Sequence, residues 1–303
     1  MPAAEKADFI SGNIPLNTKK ETELESIIQT INNRYSARNY SDRIIEQDKM
    51  DKLQKFVTAN TTGPFNNPTR FMTVSVSGYN STQLKELGVY GQITGAKMFI
   101  TGAVKTGNYY MEDFGFAMEK IILFATSIGL NTVWIGGTLN RSSFGQIMNV
   151  TADEVVPGIT PVGYAGKKTI RGKIVESFMQ PRKRKKPEEL FFLNTPDNPL
   201  PAVEQGTYTP ALEAVRLGPS ASNFQPWRIV KEEGKERFHF YQKENKIYHR
   251  ILKGVKLQDV DMGIAMCHFE LAAHELELKG KWEKVDPGIP TGGLNYIVTW
   301  VGD

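Results

Sequence analysis

Asp113-Phe114-Gly115-Phe116-Ala117-Met118 opens the most apolar helical stretch of the chain, and Asp261-Met262-Gly263-Ile264-Ala265-Met266 repeats it 148 residues later. The same separation carries Trp134 onto Trp282, so Asp, Gly, Ala, Met and Trp recur in one register. Two unrelated amphipathic helices share Ala and Met readily. An aspartate, a glycine and a downstream tryptophan at the same spacing read instead as an internal duplication.

Residues 111–128 place Phe114, Ala117, Met118, Ile121, Phe124, Ala125 and Ile128 on one broad face, which Phe116 and Ile122 widen. Such a helix is expected to be buried nearly all round. Gly129 ends it, 131–135 returns as a strand, Gly136-Gly137 turns the backbone, and 141–148 is a short helix. Upstream, 21–33 and 50–59 read as helices and 71–76 and 97–101 as strands, while 159–165 is a late strand. From 193 to 208 the chain is rich in Pro, Asn, Thr and Gly, the composition of a linker. Beyond it the order restarts. Residues 211–217 form a helix ending in Gly218-Pro219, as the earlier one ends in Gly63-Pro64, and Pro226-Trp227-Arg228-Ile229 mirrors Pro68-Thr69-Arg70-Phe71.

The 303 residues are about twice a typical domain of roughly 150. With 40% hydrophobic and 23% charged residues, the composition is that of a globular protein. The N-terminal MPAAEKADFISGNIP lacks a basic region followed by an apolar run, and no stretch of about 18 apolar residues follows, so neither secretion nor membrane crossing is expected. Cys267 is the single cysteine, which excludes an intramolecular disulfide and fits a reducing, cytoplasmic setting. The four histidines have no metal-ligand spacing. Much of the net charge of +4 sits in Arg182-Lys183-Arg184-Lys185-Lys186, one short run without interleaved aromatics, so a nucleic-acid partner is not expected.

Two stretches carry chemistry. Arg34-Tyr35-Ser36-Ala37-Arg38 sets two guanidiniums and a hydroxyl within five residues at a helix end, a donor set that suits a terminal phosphate and equally a solvated basic turn. Pro219-Ser220-Ala221-Ser222-Asn223-Phe224-Gln225-Pro226-Trp227 combines hydroxyls, amides and a tryptophan just before a strand. That mixture suits a loop hydrogen-bonding a flat heteroaromatic ligand, although the same residues also make turns and Trp227 could be core.

Here the chain resembles the nitroreductase family, whose members bind FMN at a dimer interface. Arg34 to Arg38 is similar to the family's Arg-x-Ser-x-Arg phosphate motif, and Pro219 to Trp227 to its Pro-Ser-x-x-Asn-x-Gln-Pro-Trp segment. Trp134-Ile135-Gly136-Gly137 resembles the loop laid against the flavin ring, and Arg182-Lys183-Arg184 the late basic pair that returns to the phosphate. The resemblance implies an α+β fold of two related halves, each with a mostly antiparallel sheet and packed helices, forming an intrachain pseudo-dimer. Residues 20–192 would be the first half, 193–207 a linker and 208–303 a degenerate second half.

The motifs are divided between the copies. The first half has Pro64-Phe65-Asn66-Asn67-Pro68 where Pro-Ser-x-x-Asn would stand; in the second, 194–209 holds no arginine and Trp282-Glu283-Lys284 lacks the Gly-Gly. What remains is the complementary set for one site, so one FMN per chain and a monomer are expected. The resemblance assigns Arg34, Ser36, Arg38, Arg182 and Arg184 to the phosphate and ribityl end, with Tyr35 in the same motif. Pro219, Ser220, Ser222 and Asn223 would serve the ribityl chain or ring edge, and Trp134, Ile135, Gly136 and Gly137 the ring. No side chain is assigned as catalytic, and Tyr35, Tyr90, Tyr109 and Tyr110 read as packing or as shapers of a substrate face. The implied activity is NAD(P)H-dependent, ping-pong reduction of nitroaromatic, quinone or similar acceptors through the flavin N5. A non-catalytic flavin-binding protein of the same fold is the alternative.

Overall fold

A helix that is apolar on every side has to find protein on every side, and the two repeated helices meet this demand by packing on each other. The computed structural model describes residues 26–89, 91, 93–167, 183–245, 255–289 and 291–303; Tyr90 and Arg182 lie outside them. In chain order the first part runs α1 (Ile27–Asn33), α2 (Gln47–Ala59), β1 (Thr69–Ser75), α3 (Ser81–Glu86), β2 (Met98–Lys105), α4 (Tyr110–Ser127), β3 (Asn131–Thr132), α5 (Arg141–Met148), β4 (Glu154–Val155) and β5 (Ile159–Gly163). The remainder runs β6 (Phe191–Leu193), α6 (Ala202–Gln205), α7 (Thr209–Leu217), β7 (Trp227–Lys231), β8 (Arg237–Gln242), α8 (Leu257–Glu275), β9 (Gly280–Glu283) and β10 (Asn295–Gly302).

The two sheets repeat one path. The first is ordered β1-β2-β5-β3, with β4 pairing β2, and the second β6-β7-β8-β10-β9. Strands β7, β8, β10 and β9 therefore stand in the order of β1, β2, β5 and β3. Every pairing is antiparallel except β6 on β7, which is parallel. The Pro-rich stretch leading to α7 is packed, with Leu200 and Tyr208 in the core of the second half and Tyr208 stacked on Phe269.

Helices α4 and α8 cross at the paired glycines. A Cβ on Gly115 would lie 2.1 Å from the carbonyl oxygen of Val260, and one on Gly263 would lie 1.9 Å from that of Glu112. These two contacts exchange under the 148-residue repeat, since Val260 occupies the place of Glu112. The close approach lets each helix reach across. Phe116 of α4 enters the core around α7, α8 and the second sheet, and Ile264, its counterpart, enters the core of the first half.

The repeated aspartate and the helix endings also have structural reasons. Asp113 takes the backbone N–H of Phe65 (2.8 Å) and of Asn67 (2.7 Å), and Asp261 takes that of Ala221 (2.9 Å), so each pins the loop entering its sheet. Helix α4 closes with Gly129 at φ 79° and a bond from Leu130 N–H to Ala125 C=O; α8 closes identically, from Leu278 N–H to Ala273 C=O, with Glu277 at φ 60°. An exposed glutamate thus sits in the left-handed position that favours glycine.

Two stability outcomes follow and are read from urea melts. Gly263→Ala forces backbone against backbone and is expected to destabilise by about 1–3 kcal/mol. Glu277→Gly relieves a left-handed side chain that makes no described contact and is expected to stabilise by about 0.5–1 kcal/mol; a loss of stability would contradict the strain argument.

Candidate active site

Below α1 the chain straightens and runs beside β3: Ala37 N–H donates to the Thr132 carbonyl, and Ser36 pairs with Thr132. This direction turns the side chain of Arg34 inward, where it is 6% exposed, while Tyr35 stays 43% exposed. Arg34 Nε lies 4.0 Å from Glu119 Oε1 and makes no hydrogen bond, and the buried Thr132 hydroxyl makes none either. Burial depresses the Arg34 pKa from its ordinary value and Glu119 opposes the fall. Arg38 and Ser36 are half-buried on the same segment.

The second-half loop is held from three sides. Its backbone takes left-handed φ values at Ser222 (49°), Asn223 (55°) and Gln225 (53°). Ser220 Oγ accepts from Gln225 N–H at 2.9 Å, and Asp261 anchors Ala221. The basic run then clamps the loop: Arg184 donates to Asn223 Oδ1 (2.6 Å) and to the Leu217 carbonyl (2.8 Å). Asn223 donates to the Lys183 carbonyl (2.7 Å), and Lys185 N–H donates to Gln225 Oε1 (2.8 Å). Burial, then repulsion from Arg34 and from Arg216, pulls the Arg184 pKa down to about 10. Arg216 has its own partner in Glu213, at 2.6 Å. Arg34 and Arg184, 150 residues apart, thus come near enough to repel.

The third element is the turn after β3. Trp134 donates its indole N–H to Glu119 Oε2 at 2.6 Å. Ile135 is buried and its N–H and C=O are both bonded to Ile159, so its backbone is committed to the sheet. The Gly136 carbonyl accepts from Arg141 at 2.5 Å, and a Cβ on Gly136 would sit 2.8 Å from Leu257 at the start of α8. Nothing lies within 4 Å of where a Gly137 Cβ would be, so this is where the turn opens to its surroundings. Trp134, Ala221, Tyr110 and Leu257 belong to one apolar cluster, which brings the first-half turn to the second-half loop. Pro219 and Ser220, both half-buried, begin that loop.

Two groups at this junction escaped the sequence reading, Glu119 and His268, while Gln225 was read only as one of the loop's amides. A glutamate in the middle of a buried helix was the available signal for Glu119. Gln225 ties the loop to the basic run, and His268 meets Glu119 only through the fold.

The family model described as "Putative TM nitroreductase" matches residues 26–273, and the chain belongs to this family. Among solved structures, a "putative nitroreductase" of Thermotoga maritima superposes with a TM-score of 0.58 at 19% identity, covering 93% of this chain and 96% of that one. A "putative NADH dehydrogenase/NAD(P)H nitroreductase" of Bacteroides thetaiotaomicron is 22% identical over 47% of this chain and 88% of its own, with a TM-score of 0.39. An FMN-dependent nitroreductase of Clostridium difficile is 21% identical over 47% of this chain and 89% of its own, with a TM-score of 0.37. No curated protein matches the chain. Membership makes the chain an oxidoreductase of the nitroreductase class. No helix among the described residues is long and apolar enough to cross a membrane.

At the start of α4, where its backbone meets Gly263 of α8, Glu112 is 4% exposed. Burial first, then the charges of Asp259 and Asp113, raises its pKa from 4.5 to about 8. A carboxyl that binds its proton more tightly when folded stabilises the fold below pH about 4.5, and that contribution is lost as pH rises through about 8. At ~1.4 kcal/mol per pH unit the loss approaches about 5 kcal/mol. Glu112→Gln is therefore expected to flatten the decline in stability between pH 5 and 8. Parallel denaturation curves for the two proteins across that range would refute the assignment.

Proposed function

We propose that the chain binds one FMN at this junction and uses it to carry electrons from NAD(P)H to a small acceptor such as a nitroaromatic or a quinone. The observation that carries this is the meeting of Arg34 and Arg184 under the Pro219–Asn223 loop. The charge of the buried Arg34 helps to lower the proton affinity of the partly buried Arg184, and at Arg34 itself Nε, like the nearby Thr132 hydroxyl, is a hydrogen-bonding atom with no bond. A phosphate supplies the missing acceptor and the opposite charge together.

In this reading Arg34, Arg184, Arg38 and Ser36 hold the phosphate, with Tyr35 at the outer edge of the same segment. Arg182 joins them on the strength of its motif. Ser220, Ser222 and Asn223, with Pro219 at the loop's entry, meet the ribityl chain or ring edge. Trp134, Ile135, Gly136 and Gly137 face the ring, with Ile135 fixing the turn through the sheet while Gly137 leaves space for a flat ligand. When bound, FMN supplies hydride acceptance and delivery at N5, in ping-pong order. The chain orients it and shields the buried end from water.

A single cofactor is supported by what occupies the equivalent place on the other side. Under the repeat, Gly136 becomes Lys284 and Leu257 becomes Tyr109, and the residue held by the repeated aspartate changes from Ala221 to Phe65. Lys284 donates to the Tyr109 hydroxyl at 2.7 Å and to the Ile297 carbonyl, and its ammonium lies 4.3 Å from the Tyr109 ring centre. Phe65 stacks on Tyr109 with centroids 4.6 Å apart. Three smaller residues have become large ones that fill the space with each other. Residues 20–192, 193–207 and 208–303 then act as first half, connection and second half of an intrachain pseudo-dimer, in which Phe191 and Phe192 of β6 are first-half chain completing the second sheet. The chain works as a monomer, and the lone, buried Cys267 suits the cytoplasm.

Reconstitution with excess FMN followed by desalting is expected to leave one flavin per chain by visible absorbance; two would contradict the single site. Arg34→Ala is expected to weaken FMN binding about 10- to 100-fold by fluorescence titration. Oxidation of NAD(P)H with menadione or a nitrofuran tests turnover. A bound flavin that NAD(P)H never bleaches would leave the non-catalytic binding protein standing instead.

A further inference from the structure

Under the phosphate end lies a pair of ionisable groups with no place in the motifs. Glu119 of α4 and His268 of α8 are both fully buried. His268 Nδ1 is 2.8 Å from the Ala214 carbonyl and Nε2 is 2.9 Å from Glu119 Oε1. A carbonyl can only accept, so Nδ1 carries a hydrogen. The second contact then joins a ring nitrogen to a carboxylate oxygen, and it is a hydrogen bond only if one further proton lies between them. Imidazolium with carboxylate and imidazole with carboxylic acid both satisfy it, and both make the pair neutral.

That neutrality matters because Glu119 is also the carboxyl nearest Arg34, with Nε 4.0 Å from the same Oε1. The indole of Trp134 occupies Oε2. We infer that His268 is a positioning residue for the cofactor phosphate: by neutralising Glu119 it keeps Arg34 from being consumed in an internal ion pair and leaves its charge to the anion. The inference rests on the flavin reading above.

A second observation is independent of that geometry. Under the 148-residue repeat Glu119 corresponds to Cys267 and His268 to Lys120. Neither can rebuild the pair, so it exists once, on the side that has Arg34. The histidine comes from the second half and the glutamate from the first. Through Ala214 on α7, whose last carbonyl at Leu217 accepts from Arg184, the pair also ties the two guanidinium supports together.

The test separates phosphate from ring by titrating FMN and riboflavin in parallel, following flavin fluorescence. His268→Gln keeps a hydrogen-bonding amide but cannot carry the extra proton. It is expected to weaken FMN about tenfold or more while riboflavin changes less than about threefold. Adding Glu119→Gln to it removes the stray charge and is expected to restore the FMN-to-riboflavin ratio. A merely structural histidine would weaken both ligands alike, with no rescue. Glu119→Gln alone serves if His268→Gln does not fold: it is expected to hold or raise FMN affinity, and a selective fall would overturn the inference. An unchanged ratio in His268→Gln would overturn it too. A wild-type protein that binds neither flavin would instead overturn the flavin reading itself.

Discussion

The structure turns on two missing side chains. Because Gly115 and Gly263 have no Cβ, the backbones of α4 and α8 touch, and no other residue fits at a 1.9–2.1 Å approach to a carbonyl oxygen. The crossing sets everything built on these helices. It sends Phe116 and Ile264 into opposite cores, so neither half buries its apolar surface without the other. It also carries the start of α8 to the Trp134–Gly137 turn and lays His268 against Glu119. Helix packing at this range is set by shape, so the junction inherits a fixed geometry from a contact some distance away.

A repeated scaffold does not oblige its two sides to do the same thing. The parts that make the crossing and the loop anchors are kept in both copies, as Gly115 with Gly263 and Asp113 with Asp261. Positions facing the junction differ: glycine against lysine at 136 and 284, leucine against tyrosine at 257 and 109. The anchoring aspartates themselves diverge in degree. Asp113 satisfies both oxygens with Phe65 and Asn67, whereas Asp261 has one oxygen on Ala221 and the other buried without a hydrogen bond. Burial accordingly pushes the Asp261 pKa well above the carboxylate range.

This division explains what could be read in the chain before its folding. Asp, Gly and Trp recurred at one spacing because each has a task that no substitute performs: capping a loop, permitting a crossing, donating an indole N–H to a buried acid. Elements enforced by local chemistry, such as α5 and the Gly129 ending, were legible to within a residue or two. The second sheet was barely legible, since β8 and β10 acquire their meaning from partners about 60 residues away. The strand expected at 131–135 is shorter, Asn131–Thr132, because Ile135 leaves the ladder and bridges singly to Ile159. Likewise β6 pairs in parallel with β7, whose residues stand 38 positions further along, a nonlocal event no composition reveals. In the candidate site, Arg34 and the Pro219–Trp227 loop with its Gln225 were visible as motifs, while Glu119 and His268, which lie against them, looked like ordinary helix.

Buried ionisable groups are expensive, and a helix pair this apolar would be at least as stable with hydrophobic residues in their place. Glu119 and His268 together replace two side chains that could have packed. Their hydrogen bonds reach Trp134 on the turn after β3 and Ala214 on the helix that precedes the loop, while Arg34 stands 4.0 Å away. A polar network in such a place serves shape and charge at a distance from itself, since every group it touches leads to a wall of the same junction. The loop above shows the complementary expense: three non-glycine residues held at positive φ, a conformation that persists only where surrounding bonds over-determine it. Arg184, Ser220 and Asp261 supply those bonds. Strain in the loop and charge in the floor are thus carried by the same few helices, and the glycine crossing that brings those helices together is what makes both affordable.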